Sequence, residues 1–205
     1  MRLPADQRRQ QLLDVARVAF ARNGFHATSM DEIAIAAGVT KPVLYQHFPS
    51  KRALYVELLR DTGAQLLARL AETTARATTG RARVEEGFAA YFRFVFADES
   101  AFRLLFAAPV RSDPEFAQEV EGTLRAAAET VADLIDIGVP DEQRRVLARS
   151  LVGMAEAVSR RALTDPDAER EPERLARWVA EMAWFGLRGV RADAEATVGP
   201  PHAAP

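Results

Sequence analysis

Residues 29 to 48, "SMDEIAIAAGVTKPVLYQHF", carry two apolar patterns at helical spacing, with only "AAGVT" between them. Each is about two turns long. A helix that short does not persist alone in water, because nucleation costs more than two turns of hydrogen bonds return. The segment therefore has to be held by other elements packed against it. The local signals are consistent. Ser29 stands as an N-cap with Glu32 three residues on, which makes a capping box. Gly38 ends this helix. Thr40 stands at the cap of the next, with Lys41 and Pro42 in its first turn, and Pro49 stops it near Phe48.

Helical spacing continues on both sides. Leu12, Leu13, Ala16, Ala19 and Phe20 form one stripe of an amphipathic helix that Asn23-Gly24 closes. Ser50 caps a long helix through "KRALYVELLRDTGAQLLARLAE". Beyond residue 80 the pattern predicts helices near 82–97, 100–108, 114–137, 141–163 and 172–191, with prolines near the breaks. No stretch alternates with period two over a useful length, so an all-α fold without a sheet is expected. The expected division is a three-helix head with a helix-turn-helix over 1–55, a larger helical body over 56–191, and a flexible tail over 192–205. Gly38 sits at the turn between the two short helices.

Composition removes several function classes. The chain has 205 residues and no cysteine, so thiolate metal sites and thiol nucleophiles are excluded. Its histidines are His26, His47 and His202, two in the head and one in the tail. No glycine-rich phosphate loop is present, so neither an enzyme nor a cofactor or metal is expected. No apolar run approaches a membrane span, and residues 1 to 11 lack the apolar core of a signal peptide. The expectation is a cytoplasmic protein with no membrane partner. The formal charge of −2 hides an asymmetry: residues 1–55 carry 8 Lys/Arg and 4 Asp/Glu, the rest 19 and 25. A basic head on an acidic body points to one end meeting a polyanion.

A helical wheel over the second short helix decides which polyanion. Leu44 and Phe48 share the buried side. Pro42, Tyr45 and Gln46 face away from it, flanked by Lys41 and Val43. That exposed face has the width and chemistry to enter a DNA major groove. Gln46 can pair with adenine, Lys41 with guanine or a phosphate, and Val43 can touch a thymine methyl. The Tyr45 hydroxyl reaches a phosphate. Thr28 or Ser29, and Lys51, lie at helix N-termini that favour phosphate.

The run "MDEIAIAAGVTKPVLYQHFPSKRALY" resembles the N-terminal signature of the TetR family, in which a helix-turn-helix ends in Leu-Tyr-x-x-Phe followed by a lysine that opens the next helix. The resemblance implies an all-helical homodimer with a DNA-binding head, a linking fourth helix and a ligand-binding body. It implies that Thr40, Lys41, Tyr45, Gln46 and His47 face double-stranded operator DNA, and that Lys51 meets phosphate.

In the body, six of the eleven phenylalanines fall between residues 88 and 106. Phe88, Phe92, Phe96, Phe102 and Phe106 are the expected contacts for a hydrophobic small-molecule effector, with plain core as the competing reading. Leu147, Leu151, Met154 and Val158 form one apolar stripe, and Trp178, Met182 and Phe185 another. These are the expected dimer interface, with Gly153 and Ala157 permitting close backbone approach. "RLP", the head run, "FRLLF" and "LVGMA" resemble the actinomycete TetR regulators that sense long-chain acyl-CoA. The alternative is a regulator of efflux or detoxification that senses an aromatic or hydrophobic drug.

Overall fold

The computed structural model describes residues 4–106 and 112–191, with the side chains of residues 101 and 106 left aside. Nine helices run through these residues, and no strand occurs among them. They are α1 (Ala5–Ala27), α2 (Met30–Ala36), α3 (Lys41–His47), α4 (Lys51–Ala75), α5 (Gly80–Ala97), α6 (Glu99–Phe106), α7 (Pro114–Leu134), α8 (Asp141–Thr164) and α9 (Pro172–Gly189). The expected all-α class stands. The tail after residue 191 lies outside the described residues.

The helix boundaries follow from the chemistry read in the sequence. Ser29 Oγ accepts from the Glu32 amide at 3.1 Å, and Glu32 Oε2 accepts from the Ser29 amide at 2.8 Å, closing the capping box. Ser50 caps α4 by accepting from the Ala53 amide. The first helix breaks at Gly24, whose φ of 79° is open to glycine, and then resumes for one short turn. Gly38 takes the same left-handed region at φ 65° and turns the chain from α2 towards α3. Thr40 occupies the cap position of α3, but its hydroxyl makes no capping bond. Two main-chain bonds start that helix instead, from the Val43 and Leu44 amides to the Thr40 carbonyl.

Two apolar clusters hold the molecule. One gathers Leu12, Leu13 and Phe20 from α1, Ile33 from α2, and Leu44 and Phe48 after it, around Leu54, Tyr55 and Leu58 of α4. The same cluster takes in Leu104 and Leu105 of α6 and Phe116 and Val120 of α7. The core of the head therefore runs on past residue 55 into helices of the body. An aromatic group marks the join. The Tyr55 ring lies 5.0 Å from Phe20 and 4.7 Å from Phe116, and Phe25 lies 5.0 Å from Phe116. Burial pushes the Tyr55 phenol up to about 12. The second cluster fills the body between α4, α5, α7, α8 and α9.

The long helix α4 is clasped to α7 along one side. Arg52 binds Asp113 through both oxygens, at 2.7 and 2.9 Å, and also pairs with Glu115. Its guanidinium lies 4.8 Å from the centre of the Phe116 ring. Asp113 caps α7, and Arg52 holds its carboxyl below the ordinary carboxylate range. About two turns further along α4, Arg60 pairs with Glu119. Further along, Gly63 allows close contact: a Cβ there would run into the Thr123 side chain.

Candidate functional site

Helix α3 is anchored by Leu44 and Phe48, which are 0% and 2% exposed. Lys41, Pro42, Tyr45 and Gln46 stand at the surface, with Val43 and His47 half-buried beside them. Thr40 and Ser29 are also exposed. The wheel therefore placed buried and outward positions correctly, and the outward set forms one face. The sequence reading missed Asp31. Its carboxylate, on α2, pairs with Lys41 at 2.8 Å across the turn. The hydrogen bond to Asp31 raises the Lys41 pKa and keeps the ammonium charged.

Two expected DNA contacts have other duties. Thr28 is 1% exposed, and its hydroxyl donates to the Gly24 carbonyl at 2.8 Å, closing the break in α1. It has no surface to offer a phosphate. Lys51 Nζ donates to the carbonyls of Phe25, His26 and Thr28 at 2.8, 3.2 and 2.8 Å. An ammonium has three donors, so all of them are used. The group also sits 4.7 Å from the centre of the Phe25 ring. Lys51 ties the end of α1 to the start of α4, a structural duty that stands beside its expected role as a phosphate contact. Spacing could not reveal this, because a lysine at a helix start reads the same in both roles.

The body contains a cavity of about 340 Å3 between α4, α5, α7, α8 and α9. That is at the lower end for a small-molecule site. Its walls are largely aliphatic: Leu66 and Leu70, Val84, Leu124 and Val131, and Val152. Of the five phenylalanines expected to meet a ligand, Phe88 lines it. Phe92 and Phe102 are 0% and 4% exposed and belong to the solid core, and Phe96 packs against it. The Phe106 side chain lies outside the described residues. Helix α5 is buried on more than one face, so its aromatic density reflects packing behind the cavity wall. Tyr91 also lines the cavity, and burial pushes its phenol well above the ordinary value, so it stays a neutral hydroxyl.

On the outer side of the body, Trp178, Met182 and Phe185 of α9 are 49%, 58% and 60% exposed. An apolar group of that size left in water marks an interaction surface. The expected α8 stripe is turned further inward than that face, while Gly153 and Ala157 are exposed. Leu151 is buried and lines the cavity, while Leu147, Met154 and Val158 pack against the body core. The exposed positions are Val146, Ser150, Gly153 and Ala157, one residue earlier in each turn. Spacing alone does not separate a core stripe from an interface stripe, because both use the same residue types.

The pattern of bacterial regulatory proteins of the TetR family matches residues 12–58, and that of the Tetracyclin repressor-like C-terminal domain matches residues 80–186. The chain belongs to the TetR family. It is a DNA-binding transcriptional regulator, as are its relatives, and not an enzyme. The HTH-type transcriptional activator FasR of Mycolicibacterium smegmatis is 36% identical over 191 residues, spanning 92% of this chain and 87% of FasR. That similarity fits the actinomycete branch to which the sequence was likened. A TetR-like transcriptional regulator from a Rhodococcus species superposes with a TM-score of 0.74 at 29% identity, over 92% of this chain and all of that one. FadR from Bacillus subtilis, solved in complex with stearoyl-CoA, shares the fold with a TM-score of 0.75 at 18% identity, over 89% of this chain and 99% of that one. No helix among the described residues is long and apolar enough to cross a membrane.

The TetR-type head gives a prediction that separates positioning from reading. Tyr45→Phe should weaken binding to all operator variants alike, as expected of a hydroxyl that meets a DNA phosphate. Gln46→Ala should relax preference at one base position. Each change should cost roughly 1–3 kcal/mol. Selection from randomised operators with both variants measures the two effects separately. An unchanged selected sequence for Gln46→Ala would move the reading face off this residue.

Proposed function

We propose that this TetR-family regulator binds a palindromic operator as a homodimer, and that an elongated apolar effector in the α4–α9 cavity changes its affinity for DNA. The most favoured effector class is a long-chain acyl thioester. The observation that carries the reading is the cavity: an aliphatic chamber of about 340 Å3 whose wall includes both α4 and α7. An aliphatic wall suits an alkyl chain better than a sugar, a metal or a flat aromatic drug. A solved structure that shares the fold holds stearoyl-CoA, which supports the same class. The helices that line the chamber are also clasped to one another, by Arg52 at the head end of α4 with Asp113 at the cap of α7, and by Arg60 with Glu119. A ligand that prefers one arrangement of this pair alters the spacing of the two heads in a dimer; a ligand with equal affinity for both arrangements changes nothing. The chain is divided functionally into a DNA-reading head through the start of α4 and an effector-binding, dimer-forming body.

The test is operator binding over a range of salt concentrations, with and without acyl-CoAs of increasing length. A dimer that neutralises about 6 phosphates should show a slope of log K on log salt near −5. Effector affinity should climb with chain length, by about 0.8 kcal/mol per methylene, until the chamber is full. Equal affinity for half-site and full palindrome would overturn the dimeric reading. Acyl-CoAs that bind at no length, or that bind without altering operator affinity, would overturn the effector reading.

A further inference from the structure

The cavity is not uniform along its length. Thr74 near the end of α4, Gly80 at the start of α5, Ile135 to Ile137 just after α7 and Leu187 and Arg188 near the end of α9 line one part of it. Thr123 and Leu124 line another, and Leu124 packs against the cluster that builds the head. The antiparallel course of the helices therefore gives the chamber a near end, facing the head, and a far end, where Asp136 and Arg188 are exposed to solvent. The charged residues in the lining, Arg83, Asp136 and Arg188, all come from the helix ends that meet at this far end.

Most of the molecule's arginines sit beside a carboxylate, and Arg83 and Arg188 are two of the several that make no ion pair among the described residues. Asp136 shares the rim without pairing with either. Arg188 lies 5.8 Å from the centre of the Trp184 ring. That ring also lines the chamber, and a Cβ on Gly80 would fall 3.4 Å from it, so α5 and α9 meet at Trp184. The arginines thus frame one opening, from the first turn of α5 and the last turn of α9. Leaving two guanidinium groups unpaired at the mouth of an aliphatic chamber gives that mouth a net positive charge. The positive end of the α5 dipole adds to it.

We propose that Arg83 and Arg188 form an anion clamp at the far rim, so that the effector is an amphipathic anion bound with its carboxylate or phosphate head at that rim and its alkyl chain pointing towards the head domain. This rests on the effector reading above and adds an orientation, a charge class and two specificity-determining residues to it. Guanidinium groups suit both head chemistries, because a planar fork binds carboxylate and phosphate alike. The orientation also gives chain length a meaning. A longer chain extends towards Thr123, where α4 and α7 touch at Gly63, and so towards the helix pair that holds the head.

Calorimetry on the full-length protein tests this with three ligands of one chain length: stearoyl-CoA, free stearate and neutral stearyl alcohol, each below its aggregation threshold. Arg83→Gln with Arg188→Gln should weaken the anionic ligands at least ten-fold at low salt and leave stearyl alcohol within two-fold. Loss for stearoyl-CoA alone assigns the head as phosphate; loss for stearate as well assigns the shared anion. Asp136→Asn works in the opposite sense and should tighten the anionic ligands, which no folding defect would mimic. Equal affinities of wild type and double variant for the anionic ligands would overturn the clamp while leaving the apolar chamber intact. Equal weakening of the alcohol, with no gain from Asp136→Asn, would overturn it too, assigning the arginines to the chamber's structure. Failure of all three ligands to bind the wild type would remove the effector reading and the clamp together.

Discussion

Trp178→Ala combined with Phe185→Ala should leave a folded monomer that no longer holds its operator. Both rings are about half exposed on α9, so their loss takes little from the fold of one chain. In a two-fold pair each substitution counts twice. Burying the exposed half of each ring contributes about 2 kcal/mol on area, and four rings per dimer give an effect of at least about 4 kcal/mol after imperfect packing. That is roughly a thousand-fold in the dissociation constant. Sedimentation at micromolar concentration should show monomer, with unchanged helicity. Gly153→Leu provides an independent check on α8. A Cβ at Gly153 meets nothing within 4 Å in the single chain, so the fold has room for it, and leaving glycine gains up to about 1 kcal/mol of helix propensity. Only a partner helix lying against Gly153 would make that change harmful to assembly. A dimeric double variant, together with a dimeric Gly153→Leu, would place the seam elsewhere.

The second large effect belongs to Lys51. Lys51→Met keeps most of the apolar stem but removes three charge-assisted hydrogen bonds to the Phe25, His26 and Thr28 carbonyls. A hydrogen bond to a charged group contributes about 1.5–3 kcal/mol net when it is well buried. Shared exposure and partial replacement by water bring the sum to about 3 kcal/mol. For a chain of this size that lowers Tm by about 6–12 °C. Circular dichroism on heating reads the shift directly. A phosphate contact behaves differently: its loss would leave Tm unchanged and reduce the salt slope of operator binding by about 1. The two measurements on one variant therefore decide between the role expected from sequence and the role seen in the fold. Operator affinity falls in either case and does not discriminate.

The head was legible because its signals are local. The capping box at Ser29 and Glu32, the left-handed turn at Gly38, and the two anchors Leu44 and Phe48 each act over a few residues, and each formed as spaced. Their sum fixes which side of α3 is outward, and so which face is free to meet DNA. Periodicity likewise gave the body's helices to within a few residues, because prolines and caps act on their own turn.

What the sequence left open depended on neighbours distant along the chain. Helical spacing shows that a stripe is apolar but not what covers it. Leu147, Leu151, Met154 and Val158 proved to face the body's own core, and the sparser stripe through Gly153 and Ala157 was left outside. The phenylalanines of α5 and α6 were equally ambiguous. A cavity is the space that five helices fail to fill, and aliphatic residues of α4, α7 and α8 border it as much as the aromatic run does. Charge has the same limitation. Lys51 reads as a free cation until the end of α1 folds back to offer it three carbonyls. Arg83 and Arg188, 105 positions apart in the chain, share a cavity rim only once α5 and α9 pack together. Local capping and spacing determined the elements and the outward face of α3; long-range packing alone decided which apolar faces meet one another and which charges remain unpaired.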